Sequence, residues 1–247
     1  LYLAGLYECK AVILKNKIVG RMLRILFLLS IFLIVGAGAQ AQTPLCQIPK
    51  PAQIKIVPKS KKLVIDTSRS MEQIQKKEMG TINPYGYNSV SHTNGYMEAE
   101  IGMQSRVKLD SKPLQRQQAY CIWYEEVRVE IDIAPKIVIA KEVAKDKCMY
   151  AAVLAHEKKH VKVDRQIINQ FAKNIGAKIH DGLKQRGFIA GPIAPEHFEA
   201  TAARMEKTVE QLFEFETKKM EIDRAEAQQG VDSLEEYKSV QAQCPDF

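Results

Sequence analysis

The residues Tyr150-Ala-Ala-Val-Leu-Ala-His156-Glu157-Lys-Lys-His160-Val-Lys-Val-Asp164 contain the pattern H-E-x-x-H, around which the expected fold is arranged. The stretch has no Pro or Gly and is rich in good helix formers. Apolar residues continue at helical spacing as far as Ile175, so it predicts a long helix. Residues four apart share one face of a helix, about 6 Å apart along its axis. His156 and His160 can therefore offer two imidazoles to one metal ion, for which zinc is the expected choice.

Glu157 follows the first histidine and is turned about 100° around the helix axis. Its carboxylate is then expected beside the open coordination position, where it could take a proton from a metal-bound water. The pattern thus predicts metal-assisted hydrolysis with Glu157 as the catalytic base. The alternative is an ordinary amphipathic helix whose two histidines lie near a core and whose glutamate is solvated.

The motif supplies only two of the three protein ligands that a catalytic zinc usually takes. The longer pattern H-E-x-x-H-x-x-G-x-x-H fails, because residue 163 is Val and residue 166 is Gln. On a straight helix Asp164 lies about 9 Å further along the axis than the expected metal ion, which is too far for its short side chain to bind that ion. It is interpreted either as the acceptor for the ring N–H of His160 or as half of a surface salt bridge with a lysine.

A third ligand from a second long helix is expected, as in enzymes resembling thermolysin. The candidates are Glu196, His197 and Glu199, followed by Glu206 and Glu210. His92 and His180 are predicted to be surface residues.

Charge and composition limit the classes of protein to which the chain could belong. The chain has 247 residues and a net charge of +7, and 46% of its residues are hydrophobic, which predicts one globular domain or one domain with a helical appendage. Without residues 1–41, 31 basic and 28 acidic side chains remain. A net charge of +3 without a clustered basic face argues against nucleic-acid binding.

The N-terminal 41 residues predict a signal peptide. A basic start at Arg21 leads into the apolar run 25–35, and the small residues of Ala39-Gln-Ala41 predict cleavage after Ala41. We expect export to the periplasm or beyond the cell, with no stable membrane span after cleavage; the alternative is an uncleaved anchor. Met22 would begin a compact signal peptide by itself, so residues 1–21 are expected to lie outside the natural product.

Four cysteines remain once Cys9 leaves with the leader, and an even number in an exported protein predicts two disulfides. Three pairings are open. A Cys121–Cys148 bridge would tie the motif helix to a strand, and Cys46 and Cys244 would form the other pair. Free thiols or a reducing compartment are the alternative. No C-x-x-C spacing occurs, which argues against a cysteine zinc site.

The remaining pattern predicts an α+β fold. Alternating apolar residues in the probable strands at 96–109 and 120–133 predict an antiparallel sheet with one buried face, and Pro135 separates a further strand at 136–140. Shorter strands are expected at 54–56 and 62–66, a short helix at 68–79 and a loop at 80–95.

The expected order continues with a motif helix from Cys148 to about Gly182 or Gly187, a turn at 187–195, a helix at 196–229 and a tail at 231–247. The antiparallel sheet would pack on the long motif helix, and the second long helix would complete a helical hairpin. We expect a zincin-like domain at 42–187 and a C-terminal helix with a disulfide-pinned tail at 188–247. A strand edge beside the metal could receive an extended peptide.

The order of these features resembles a family of secreted bacterial proteins of unknown function described as predicted zinc-dependent proteases. The resemblance covers residues 62–175: Met79-Gly80, Tyr85-Gly86, the strand with Cys121, Ile137-Val-Ile-Ala and the motif helix. It implies a periplasmic or secreted metallopeptidase-like domain with His156 and His160 as zinc ligands and Glu157 as base.

The sequence therefore predicts a secreted zinc hydrolase, a metallopeptidase acting on a peptide or protein substrate, with the cell envelope as one source of that substrate. A hydrolase of cell-wall amides would share the chemistry. The alternative function is a non-catalytic exported binding domain that retains a metal site or only the helix pattern.

Overall fold

The structure is a computed structural model that describes residues 45–77, Asn83 and 93–245. Its strands are β1 (Gln53–Ser60), β2 (Val64–Asp66), β3 (Gly95–Leu114), β4 (Ala119–Ile139) and β5 (Ile189–Ile193). Its α-helices are α1 (Met71–Gln75), α2 (Lys147–Arg186), α3 (Phe198–Val231) and α4 (Leu234–Ala242). The predicted signal peptide, the end of the predicted helix at 68–79, most of the loop at 80–95 and His92 lie outside the described residues.

The long strand β4 is the centre of the sheet. β3 pairs with it antiparallel over its whole length, from Gly95 opposite Ile139 to Leu114 opposite Ala119. The other edge of β4 is shared by three shorter strands. β5 pairs antiparallel near Tyr120, whereas β1 and β2 run parallel to β4 further along.

The prediction of an α+β fold with an antiparallel sheet is wrong, because the parallel pairings of β1 and β2 with β4 make the sheet mixed and the fold α/β in type. The alternation in β4 does mark a buried face: Val127, Val129 and Ile131 have no exposed surface. Alternation reports which face of a strand is buried but not the direction of its neighbour. The sequence pattern therefore could not supply the strand directions.

Pro135 does not divide this strand. The register of β1 ends opposite Ile133 and that of β2 begins opposite Lys136, so Pro135 falls in the gap between the two parallel neighbours. A proline lacks the N–H that a ladder needs, and it is tolerated where no partner strand is present. The predicted strands at 120–133 and 136–140 are consequently one strand.

One face of the sheet carries the two long helices. Ile168, Ile175 and Ile179 of α2 pack in one core with the buried face of β4, and α3 adds Met205 and Val209 to it. Gly176 allows close approach to β1, since a Cβ there would lie 3.3 Å from Cγ1 of Ile56. From Leu45 onward the chain forms one compact unit.

Clear caps bound the motif helix. The side chain of Asp146 accepts a hydrogen bond from the backbone N–H of Met149 at its start, and Gly187, with a φ of 99°, ends it. The predicted end near Gly187 is confirmed. The predicted turn at 187–195 contains the strand β5, and the predicted tail at 231–247 contains the helix α4.

Two disulfides are present as predicted, but the favoured pairing is wrong: Cys46 bonds Cys121, and Cys148 bonds Cys244. Cys121 lies at the start of β4, and Cys148 follows the end of that strand. At about 3.3 Å per residue the two ends of β4 are some 60 Å apart, far beyond the reach of one bridge. The two disulfides indicate an oxidising, extracellular setting. None of the helices in the described ranges has the length and apolar character needed to cross a bilayer.

The packing of β3 against the motif helix predicts a cost for Gly95→Ala. A Cβ at Gly95 would lie 2.8 Å from Cγ1 of Val153 and 2.9 Å from the carbonyl oxygen of Val138, so strand or helix must shift. We expect a loss of about 1–3 kcal/mol in the free energy of unfolding, measured by urea denaturation. Gly102→Ala is the control, since its nearest contact would be an ordinary 3.8 Å to Asp132. Equal stabilities of the two variants would contradict the packing described.

Candidate metal centre

Three buried side chains converge where the start of α2 meets the end of α3. Nε2 of His156 lies 3.3 Å from Nε2 of His160, and Oδ1 of Asp232 lies 3.2 Å and 3.1 Å from these two nitrogens. The histidines come from adjacent turns of α2, and Asp232 is the residue that ends α3. Two imidazole nitrogens and a carboxylate oxygen at these separations could hold a metal ion.

The outer nitrogen of His160 is fixed by a chain of contacts from α3. Its Nδ1 donates to Oε1 of Gln228, whose Nε2 donates to Oδ1 of Asp164 and to the carbonyl oxygen of His160. Arg224 completes the chain with two hydrogen bonds to Asp164, of 2.6 Å and 2.9 Å. An Nδ1–H that donates to Gln228 leaves Nε2 free to bind a cation.

Asp164 differs from both interpretations made from sequence. It is fully buried, it reaches His160 through Gln228 and not directly, and its ion pair is with Arg224 and not with a lysine. A buried carboxylate with a bidentate arginine is far more constrained than a surface pair. Asp164 therefore positions the glutamine that orients His160.

The outer face of His156 is covered by α4. Nδ1 of His156 lies 3.4 Å from Oε1 of Glu236, and Glu236 also pairs with Lys159 one turn further along α2. The ring of Tyr237 packs edge-on against the imidazole, with ring centroids 5.5 Å apart. Cys244, just beyond α4, is bonded to Cys148 near the start of α2, so this cover is fastened to the motif helix.

Glu157 lies between the motif helix and β3. Its side chain is 5% exposed, and burial raises the pKa of its carboxyl to about 7, although the neighbouring histidines and the backbone N–H of Met97 lower it. A carboxyl with a pKa near neutrality can release and take up a proton at physiological pH. Glu157 follows His156 in the sequence, and its carboxylate is close enough to that of Asp232 for their charges to interact.

The pKa of each histidine is held above its ordinary value. Burial lowers the pKa of His156 and of His160, but the hydrogen bond to Asp232 and the charges of Asp232 and Glu157 raise it more. The arrangement therefore favours positive charge at this point of the molecule. Protons on the imidazoles, or a cation between them, would supply this positive charge.

The third-ligand candidates predicted from sequence are not brought to this cluster. Glu196 and His197 lie in a single turn before α3, Glu199 lies in its first turn, and all three are exposed. Since α3 has 34 residues, its first turn is about 50 Å from the end that carries Asp232. Glu206 and Glu210 are also exposed residues of its first half. His180 is exposed beside Asp181, as predicted.

The register of the two long helices carries the signal that could have identified Asp232. His156 meets Asp232, His160 meets Gln228, and Asp164 meets Arg224, so each step of four residues along α2 matches four residues back along α3. In an antiparallel hairpin the start of the first helix faces the end of the second. The direction of the hairpin therefore predicts an acidic third ligand near residue 230 and not near residue 198.

The contact between Gln228 and His160 predicts a role in metal binding. We expect Gln228→Leu to lower metal affinity by about 10–100-fold, because His160 loses the acceptor that fixes its ring. Titration of the metal against a competing chelator on folded protein measures this, with circular dichroism to establish folding. Gln211→Leu, at an exposed position of the same helix, is the matched control. Unchanged affinity in Gln228→Leu would show that the chain of contacts does not orient the ligand.

Comparison of the chain with models of known families, with curated proteins and with solved structures gives no match in any of the three.

Proposed function

We propose that the protein is a secreted or periplasmic zinc-dependent hydrolase that cleaves peptide bonds, with Glu157 as the general base. The observation that carries the proposal is the triangle of Nε2 of His156, Nε2 of His160 and Oδ1 of Asp232, with sides of 3.1–3.3 Å. A buried glutamate sits next in sequence to the first of these residues. The resemblance to predicted secreted zinc-dependent proteases points in the same direction.

The donor set favours zinc among the common cations. Zinc binds imidazole nitrogen and carboxylate oxygen at about 2.0–2.2 Å in tetrahedral geometry, so two of its ligands lie about 3.3–3.5 Å apart. The triangle is slightly smaller than this, and a small outward movement of the side chains would accommodate the ion. Calcium and magnesium prefer sites built wholly from oxygen, which this site is not.

Three protein ligands would leave one position for water or substrate, as in catalytic zinc sites. A zinc ion bound there would supply Lewis acidity, polarising the scissile carbonyl and making water easier to deprotonate. Glu157 would take the proton from the attacking water and return it to the nitrogen of the leaving amine as the C–N bond breaks. Gln228 and Asp164 would keep His160 in the tautomer that binds metal.

The sheet offers a peptide a place to lie. β3 pairs with β4 on one side only, and no strand within the described residues pairs with its outer edge. Met97 of β3 lies beside Glu157, which brings the start of this strand next to the proposed base. An extended peptide hydrogen-bonded to such an edge would be held by its main chain, which supports a peptide or protein substrate. The extracellular setting indicated by the disulfides makes envelope proteins or peptides accessible substrates.

A second candidate function is a non-catalytic exported domain in which the metal stabilises the fold. The observation that favours it is burial: the residues His156, Glu157, His160 and Asp232 are each only 5–8% exposed. The cover formed by α4 limits the approach of a substrate to His156. In this case the metal would fasten the end of α3 to the start of α2 and take no part in chemistry.

Two substitutions separate these functions. Glu157→Gln keeps the shape of the side chain and is expected to retain about one zinc per chain while peptidase activity falls about 10²–10⁴-fold. Asp232→Asn is expected to lose metal affinity by more than the roughly 10–100-fold typical of an outer hydrogen-bond partner. Asp223→Asn, exposed on the same helix, is the control for both measurements. Elemental analysis gives the zinc content, and a fluorogenic peptide library gives the activity.

The outcomes are distinct. No zinc in the unmodified protein would refute the metal site. Zinc without cleavage of any library peptide would support the stabilising role, in which case removal of the metal by a chelator should lower the melting temperature of the unmodified protein but not that of Asp232→Asn.

A further inference from the structure

A second cleft lies at the opposite end of the helical pair from the metal cluster. It has a volume of about 300 Å³ and is bounded by the end of α2, the strand β5 and the second and third turns of α3. Arg186 on its wall is 26 residues beyond His160 on the same helix, which corresponds to about 40 Å along the axis. The cleft is therefore separate from the proposed hydrolytic site.

The charged groups of this cleft are all positive. Arg186 comes from the last turn of α2 and Arg204 from α3, and no carboxylate is among the residues that line it. Neither arginine forms an ion pair within the part of the chain that the structure describes. Both arginines are exposed residues beside one cleft, and an anion bound in that cleft would be attracted by both guanidinium groups.

The guanidinium groups retain unused donors. Nη1 of Arg186 donates to the carbonyl oxygen of Gly182 at 3.2 Å, and Nη2 of Arg204 donates to Oγ1 of Thr201 at 3.3 Å. Each of these contacts uses one N–H, and a guanidinium has five. Each contact joins the arginine to a residue three or four positions earlier on its own helix.

Neutral polar groups complete the wall. The hydroxyls of Thr201 and Thr208 line the cleft, and the buried hydroxyl of Tyr124 donates to the carbonyl oxygen of Met205 at 2.8 Å. Burial raises the pKa of Tyr124 to about 12, although Arg186 lies near enough to lower it, so the phenol remains neutral and adds no negative charge. Tyr124 forms the base of the cleft. Its position is fixed by the central strand β4 and by its burial, since it is only 2% exposed.

From this arrangement we propose that the cleft bounded by Arg186 and Arg204 is a binding site for an oxyanion, a phosphate or carboxylate group carried by a small ligand or an envelope component. Arginine forks match the paired oxygens of both groups. The hydroxyl of Thr201 can donate to a further oxygen, whereas those of Tyr124 and Thr208 already donate to backbone carbonyls. The volume is at the lower limit for sites that enclose small molecules, so the anionic group and a short attachment would fit.

The test uses the full chain without added metal, so that its outcome is independent of the hydrolytic site. Isothermal titration with inorganic phosphate and with succinate, each against sodium chloride at equal ionic strength, distinguishes the two sources of negative charge. We expect saturable binding of at least one of them, weakened about tenfold or more in Arg186→Gln and in Arg204→Gln. Arg106→Gln, on β3 and not among the residues that line the cleft, should bind as the unmodified protein does.

Binding of phosphate alone would assign a phosphate-bearing ligand, and binding of succinate alone a carboxylate-bearing one. The proposal is overturned by the absence of saturable binding for both anions, or by equal binding in Arg106→Gln and the two cleft variants. Thr201→Val, which removes the hydroxyl that accepts from Arg204 without changing charge, provides a further check: weaker binding is expected, because Arg204 loses its contact with its own helix.

Discussion

The ion pair between Asp164 and Arg224 fixes the relation between the two long helices on which the candidate metal centre depends. Asp164 has no exposed surface, and its two oxygens accept hydrogen bonds from two nitrogens of Arg224. Loss of Arg224 would leave the buried carboxylate of Asp164 without its compensating charge, although Arg224 itself is partly exposed. Any sliding of α3 along α2 would break this pair. The pair therefore sets the register that brings Gln228 to His160 and Asp232 to both histidines.

The same register explains which parts of the centre could be predicted from sequence. His156, Glu157 and His160 are local, since one helical turn places them on neighbouring positions whatever the rest of the chain does. Asp232 is remote in sequence, and its place depends on the length of the connection between the helices and on the angle at which they pack. The prediction of a third ligand at Glu196, His197 or Glu199 does not use the direction of the hairpin. Antiparallel helices place the first turn of one beside the last turn of the other, which points to the end of α3.

The predictions of strand direction and of disulfide pairing are wrong for a related reason. The alternation in β4 correctly marked its buried face, but β1 and β2 reach β4 from distant parts of the chain and run parallel to it. Cys121 and Cys148 are only 27 residues apart in sequence, and an extended strand turns that short separation into the length of the sheet. Cys46 reaches Cys121 because the start of β1 lies beside the first half of β4. Local pattern thus gave burial and secondary structure, whereas long-range pairing required the three-dimensional arrangement.

Charge balance at the metal centre connects these features. Asp164 is neutralised by Arg224, and Glu236 pairs with Lys159, so neither contributes free charge to the cluster. Asp232 and Glu157 remain as two buried carboxylates, and Asp232 lies within 3.2 Å of a ring nitrogen of each histidine. The pKa of Glu157 is raised chiefly by burial. Burial lowers the pKa of both histidines, but Asp232 and Glu157 together raise it more, so that protons on the imidazoles supply positive charge. A divalent cation would supply it more completely, because one ion meets both imidazole nitrogens and the carboxylate oxygen at once. Burying these groups together is costly for a plain amphipathic helix, and this cost is consistent with a cluster that could hold a metal ion.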